Sequence, residues 1–187
     1  SDCREYKGER IQDTSNLSDQ DVALYLDEIW AINNDWELTL GVRAERNDYT
    51  EQSFIHPRIA LNWYASDDLT IRAKAGSYSR QPNVDTAIAK LGNPEIESPQ
   101  STHYSIGMDY DFNDLWFTSV DIYYKELTAL PRSIEPDSPY YDLHYTSDTS
   151  GAAHGIEWLV RRELQNDWSG WASLSWSESE RTDDITH

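Results

Sequence analysis

Five histidines, one cysteine and 34 acidic residues are the side chains of this 187-residue sequence with the widest choice of chemistry. None of His56, His103, His144, His154 and His187 is paired at the spacing that sets two ligands on one helix face, so no metal site is expected. Gly76-Ser77-Tyr78-Ser79 puts serines beside glycine. Its alternation is that of a strand, however, not of the strand-to-helix turn that exposes a hydrolase nucleophile. Neither a phosphate-cradling glycine loop nor a dinucleotide fingerprint occurs. Asp67-Asp68 and Asp183-Asp184 are carboxylate pairs of the kind acid–base catalysis uses. They read first as turn and loop residues, and 34 acids produce many accidental pairs. No catalytic residue, metal or cofactor is therefore expected. Cys3 cannot form an internal disulfide. It is a free thiol, or it is half of a loop disulfide whose partner lies upstream.

Two other groups could bind rather than react. Arg43, Glu45, Arg58, Arg72, Lys74, Arg80, Asp109, Asp121 and Glu157 recur on one side of an apolar–polar alternation. They form either a mutual salt-bridge lattice or a surface for a ligand. Tyr78, Arg80 and Gln81 precede a polar link, and Tyr140, Tyr141 and Tyr145 crowd another, within 139–145. Arginine, glutamine and tyrosine together offer charge, amide and stacking contacts to an anionic or catecholic ligand. A solvated loop with no ligand is the plainer reading of 139–145, and both stay open.

The elements that must position these residues are strands. Trp36–Arg46 alternates Trp36, Leu38, Leu40, Val42 and Ala44 with Glu37, Thr39, Gly41, Arg43 and Glu45. One face is apolar and the other polar, as a pleat requires. The same split recurs in 55–65, 69–80, 103–112, 115–126, 153–163 and 168–180. It is least clean in 21–32, where Glu28 falls among Leu24, Leu26 and Trp30. Short turns rich in Asn and Asp lie at Asn33–Asp35, Ser66–Asp68, Asn113–Asp114 and Gln165–Asp167. Longer links, 47–54, 81–99 and 128–152, alternate with them, and Val84–Leu91 is the one helix candidate. A meander with short turns at one end and long loops at the other is the layout of an outer-membrane barrel. Trp30, Trp36, Trp63, Phe112, Trp116 and Trp168 all lie within a few residues of a short turn, which suggests one membrane-interface girdle. The segments run about 10–12 residues, near the roughly 9–11 that a tilted membrane strand needs.

Bulk properties agree. The net charge of −19 excludes general attraction to nucleic acid or anionic lipid. Eight tryptophans and twelve tyrosines argue against a disordered acidic tail. Residues 1–20 are polar and show no signal peptide, and no apolar run is long enough for a membrane helix. The mean hydropathy of −0.76 looks soluble, but it misleads for barrels, where alternate residues face a polar lumen.

Short tags then appear in order. Leu38-Thr39-Leu40-Gly41-Val42-Arg43, His56-Pro57-Arg58-Ile59-Ala60-Leu61 and Gly76-Ser77-Tyr78-Ser79-Arg80-Gln81-Pro82 come first. Gly92-Asn93-Pro94-Glu95-Ile96, Ser101-Thr102-His103-Tyr104-Ser105-Ile106-Gly107, Ile122-Tyr123-Tyr124-Lys125 and Gly155-Ile156-Glu157-Trp158 follow. Singly they are weak; in this order they resemble the C-terminal half of the barrel of TonB-dependent receptors. The resemblance implies an all-β, antiparallel up-and-down meander of about eight strands within a larger barrel of roughly 22 strands. Residues 1–20 would be an extracellular loop segment and 21–187 a partial barrel. The implied function is active uptake of a scarce, large solute such as a ferric siderophore across the cell outer membrane, without covalent chemistry. Implied partners are outer-membrane lipid, the solute, and the TonB complex through an N-terminal part not in this sequence. The plug domain and the terminal aromatic strand of the family are not in the sequence either, so a fragment is expected. Two rivals remain at this stage: a small complete eight-stranded barrel with a structural or adhesive role, and a soluble β-sandwich binding module.

Overall fold

Alternation sets the strands, and side chains that cap their own backbone set the turns. The computed structural model describes residues 2–6, 9–13, 20–48, 50–87, 92–134 and 144–183. The strands are β1 (Asp2–Tyr6), β2 (Glu9–Asp13), β3 (Asp21–Ala31), β4 (Trp36–Asn47), β5 (Ser53–Ser66) and β6 (Leu69–Ser79). After one helical turn, α1 (Val84–Ala87), come β7 (Gln100–Asn113), β8 (Trp116–Ser133), β9 (Tyr145–Gln165) and β10 (Trp168–Asp183).

β3 to β10 make one eight-stranded antiparallel sheet in which every strand pairs with its sequence neighbours. The tight turns are built by local acceptors. Asn33 Oδ1 accepts from the backbone N–H groups of Asp35 (2.8 Å) and Trp36 (3.0 Å). Asn113 Oδ1 does the same for Leu115 and Trp116. Asn166 and Asp167 adopt the left-handed conformation, with φ of 52° and 65°, that a two-residue hairpin requires.

A sandwich needs two stacked sheets, and a closed eight-stranded barrel needs β3 to pair with β10. Neither arrangement occurs among the described residues. The sheet is open at both edges, and its apolar face is uncovered: Leu24 is 75% exposed and Ile55 72%. Buried apolar side chains lie instead at the long-loop end, where Ala87, Ile96 and Ile134 are enclosed.

Residues 2–6 and 9–13, within the segment read as a loop, pair as a separate two-stranded sheet. The helix candidate is present as the turn α1, and residues 88–91 of it lie outside the described residues. Two expectations change. The expected long link 128–152 shrinks, because β8 runs to Ser133 and β9 begins at Tyr145. Tyr145 is consequently a strand residue paired with Ser133, not a loop residue. The 21 residues of β9, tilted about 45° and rising about 3.3 Å each, span about 50 Å, well beyond about 30 Å of hydrocarbon. Where both faces of a strand are wet, apolar alternation fades and the sequence signal goes with it. A bulge between Leu127 and Leu130, with Ala129 at φ 53°, further breaks the period.

Candidate functional site

On the polar face, guanidinium groups reach carboxylates two strands away. Arg58 on β5 donates through Nε (2.8 Å) and Nη2 to Asp27 on β3. The pair crosses β4 at Gly41, the register partner of both residues. Two strand spacings come to about 9.6 Å, so the pair can meet only if the residue between has no side chain. A Cβ on Gly41 would stand 2.5 Å from Arg58 Nε and closer still to Asp27 Oδ1. The device repeats at Gly107 on β7. There Arg72 of β6 meets Asp121 of β8 at 3.0 Å and Asp109 at 3.0 Å, with Ser119 donating to Asp109 at 2.7 Å. At Gly155 on β9, the Tyr123 hydroxyl from β8 occupies the space that a Cβ would take, 2.7 Å away.

The salt-bridge lattice thus includes Arg43, which pairs with Glu45 at 2.7 Å, together with Arg58, Arg72, Asp109 and Asp121. Lys74, Arg80 and Glu157 form no ion pair among the described residues. Asp27 was not anticipated as a partner, because register two strands away is not written in local sequence.

Toward the long-loop end, the ladder between β5 and β6 stops at the Arg58–Gly76 pair. His56, 6% exposed, fills the opening. Its Nε2 lies 2.8 Å from Ser79 Oγ and 3.2 Å from Glu45 Oε1, and its Nδ1 lies 3.4 Å from Ser77 Oγ. The Ser79 hydroxyl also donates to Glu45. This cluster ties β4 to β6 across β5. Beside it lies a cavity of about 190 Å³ lined by Arg43, Glu45, Asn47, Phe54, Ser79, Gln81 and Ser98, among others.

The link between β6 and β7 folds over this end and is clamped on both sides. Gln52 donates to Ile96 O (3.3 Å) and accepts from the Ser98 N–H (3.0 Å). On the other side, Asn93 Nδ2 donates to Tyr145 O (3.0 Å), and the Glu97 N–H donates to Ser147 Oγ (3.4 Å). A second cavity, about 210 Å³, opens between this link and the β8 bulge, lined by Arg80, Gln81, Asn83, Pro99, Leu130 and Arg181, among others.

Of the candidate ligand residues, Tyr78 lies at the end of β6, Arg80 and Gln81 follow the strand directly, and Tyr145 begins β9 at the same end of the sheet. Tyr78 lies on the polar face with its ring 4.7 Å from His103. Gln81 lines both cavities, and Arg80 lines one. Tyr145 lines neither, and Tyr140 and Tyr141 lie outside the described residues. Sequence reading missed His56, Asn83, Asn93 and Arg181 at this end. Among the described residues no group of His, Cys, Asp and Glu could hold a metal.

The turn-end aromatics gather in groups. Trp36 and Trp63 stack at 5.3 Å, Phe112 meets Tyr110 edge-on at 4.9 Å, and Trp116 meets Trp168 edge-on at 6.2 Å. Trp30 lies on the same apolar face, opposite Leu38. Arg162, unanticipated, sits buried with its guanidinium 3.5 Å from the Trp168 ring centroid and donates to turn carbonyls. On the apolar face the Trp158 indole N–H donates to Thr118 Oγ1 (2.9 Å), which donates to Leu159 O (2.9 Å). Both side-chain donors of that group thus have an acceptor within the sheet.

Comparison with known proteins gives one answer. The siderophore receptor PirA of Pseudomonas aeruginosa superposes with a TM-score of 0.74 at 16% identity, over 86% of this chain and 32% of that one. The FrpB iron transporter of Neisseria meningitidis (F3-3 variant) gives 0.74 at 16% identity, over 90% and 27%. The outer membrane transporter YddB of Escherichia coli gives 0.71 at 15%, over 88% and 25%. At these identities the likeness is one of fold, and the chain spans about a third or less of each of these proteins. No curated protein matches it in sequence. A family profile described as TonB dependent receptor-like, beta-barrel, matches residues 4–186. The chain therefore belongs to the TonB-dependent receptor-like β-barrel family, a family of outer-membrane transporters and receptors rather than of enzymes.

Proposed function

We propose that this chain is part of the wall of an outer-membrane receptor that takes up a scarce, large solute such as a ferric siderophore. The TonB complex would supply the energy through a part of the protein outside these strands. The observation that carries the reading is the two-faced sheet: an uncovered apolar face, and a polar face of paired charges leading to cavities at the long-loop end. Family membership and solved relatives described as a siderophore receptor and an iron transporter support it.

In this reading the short-turn aromatics Trp30, Trp36, Trp63, Phe112, Trp116 and Trp168 sit at one membrane interface. Tyr104, Tyr124 and Trp176, with His154 against the Trp176 ring at 5.7 Å, form a second belt nearer the loops. The long-loop end faces outside, and residues 1–20 lie there as well. Tyr78, Arg80, Gln81, Tyr140, Tyr141 and Tyr145 take part in ligand capture.

The test is accumulation of labelled ferric complexes by iron-limited cells carrying the full-length protein. Uptake should require both the protein and an energised TonB complex. Changing Tyr140, Tyr141 and Tyr145 together to Ala should weaken uptake at least severalfold at equal surface abundance, as loss of stacking anchors does. Uptake indifferent to TonB would reject the transport reading. Uptake unchanged in the triple variant would reject these tyrosines alone.

A further inference from the structure

The cavity between the β6–β7 link and the β8 bulge differs from the rest of the molecule in its charges. Every other arginine with a described side chain has a partner. Arg43, Arg46, Arg58, Arg72, Arg132 and Arg161 face carboxylates at 3.7 Å or less. Arg162 lies over the Trp168 ring at 3.5 Å and donates to backbone carbonyls. Arg80 and Arg181 have no carboxylate partner among the described residues, and they line the same cavity. This is notable in a chain of net charge −19, where carboxylates outnumber cations about two to one. Arg80 is steered by Asn83, whose Oδ1 accepts from Nη2 at 2.9 Å, and its backbone N–H is tied to Pro99 O at 2.9 Å.

Arg181 comes from the opposite side. It is the register partner of Gly151 on β9, on the polar face shared with Gly155 and Glu157. A Cβ on Gly151 would stand 2.6 Å from the Glu180 carbonyl oxygen and 3.6 Å from both Arg181 Cγ and Leu130 Cδ1, so glycine lets the two strands lie close where Arg181 meets Leu130. The walls include Pro99 and Pro131, which hold the backbone in place at little entropic cost. Gln81 adds an amide and also lines the neighbouring cavity.

We infer that Arg80, Arg181 and Gln81 form a subsite for an anionic oxygen group of the transported solute, a carboxylate or catecholate rather than a neutral hydroxamate. The inference rests on the uptake reading above and specifies the ligand's charge. Two guanidiniums without a carboxylate partner among the described residues, one just past β6 and one on β10, can each give charge-assisted hydrogen bonds to one polyanionic complex, which a neutral complex cannot accept as strongly.

The experiment uses the full-length receptor in detergent, with tryptophan fluorescence reporting binding of ferric citrate and of a neutral ferric trihydroxamate. Arg181→Gln and Arg80→Gln should each weaken ferric citrate by about tenfold or more. Arg181→Lys should recover part of the loss, and added salt should weaken citrate binding to the unaltered protein. The neutral complex should respond to none of these changes. Equal loss for both probes, no loss for either, or failure of the unaltered receptor to bind ferric citrate would overturn the subsite. Cell uptake of the neutral complex that persists while the arginine changes have no effect would leave the transport reading standing and remove only this inference. Binding of citrate without iron that still depends on Arg181, in cells that accumulate no iron complex, would do the reverse.

Discussion

Ile106 and Ile122, on the apolar face at mid-strand, are 54% and 51% exposed, whereas Ile96 in the β6–β7 link is 1% exposed. The same residue type meets opposite surroundings within one small chain. At mid-strand, backbone groups are satisfied by neighbouring strands, and the side chains project where lipid would cover them. At the long-loop end, water reaches the backbone, so an apolar residue must be covered by the chain itself. The link between β6 and β7 does this with polar clamps at Gln52, Asn93 and Ser147. The wall is therefore specified by a simple period, whereas the loop end is specified by individual side chains that have no period.

The sharpest way to break the comparison is to place a charge on the wall. Ile122 is flanked across the sheet by Ile106 and Ile156. Ile122→Arg in the full-length barrel should cost about 2–4 kcal/mol if it lies near the bilayer midplane. Leu40→Arg should cost less, because its cross-strand neighbour on β3 is Glu28, an anion on the same face. Thr39→Arg, on the polar face opposite Ile29 and Ala60, should cost least. Denaturant titration in lipid vesicles measures all three. Equal losses for Ile122 and Thr39 would contradict the assignment of faces.

A smaller effect tests the glycine crossings. Gly107→Ala would push a methyl group into the Arg72–Asp121 pair, 3.0 Å from Arg72 Nη2. Overpacking of this kind costs about 1–3 kcal/mol. Gly170→Ala, with nothing within 4 Å of its Cβ position, should stay within about 0.5 kcal/mol. If the two substitutions are equivalent in the same titration, the glycines do not act as crossings. The double variant with Asp121→Asn should recover part of the Gly107→Ala loss, since the crossing pair no longer holds its place.

Much of the wall was legible because each strand carries its own evidence. Leu38, Leu40 and Val42 alternate with Thr39, Gly41 and Arg43 in plain view, and Asn33 and Asn113 announce their turns. The glycine tags were also visible, but their purpose was not. Gly41 matters because Asp27 and Arg58 approach from two different strands, and only the register shows that they share a row. The upper part of β9 was invisible because Thr146–Ser150 is polar on both faces, and that of β8 because the bulge between Leu127 and Leu130 breaks its period. Tyr145 was misread as a loop residue for that reason. His56 reads as an ordinary polar-face residue until the β5–β6 ladder is seen to open around it. The pairing of Arg80 with Arg181 depends on a link folding back over the sheet end, which no local pattern encodes.

The finest test concerns how the loop end is held, and it separates local from global stability. Gln52 uses both ends of one amide, donating to Ile96 O and accepting from the Ser98 N–H. Gln52→Ala removes both bonds and leaves two backbone groups near the buried Ile96 without their partner. Each bond contributes about 0.5–1.5 kcal/mol net. The Asn93 clamp to β9 stays intact, so the link should loosen on one side only. Hydrogen exchange should then speed the Ser98 amide by about tenfold or more. The amides of Ile106 and Ile122 should keep their rates, because the ladder that protects them does not involve the link. Faster exchange throughout β7 and β8 would show that wall and loop end unfold as one unit, and the contrast between them would fail. No change at Ser98 would mean that Asn93 and Ser147 alone hold the link. In that case Asn93→Ala should produce the larger local opening, read at the same amides.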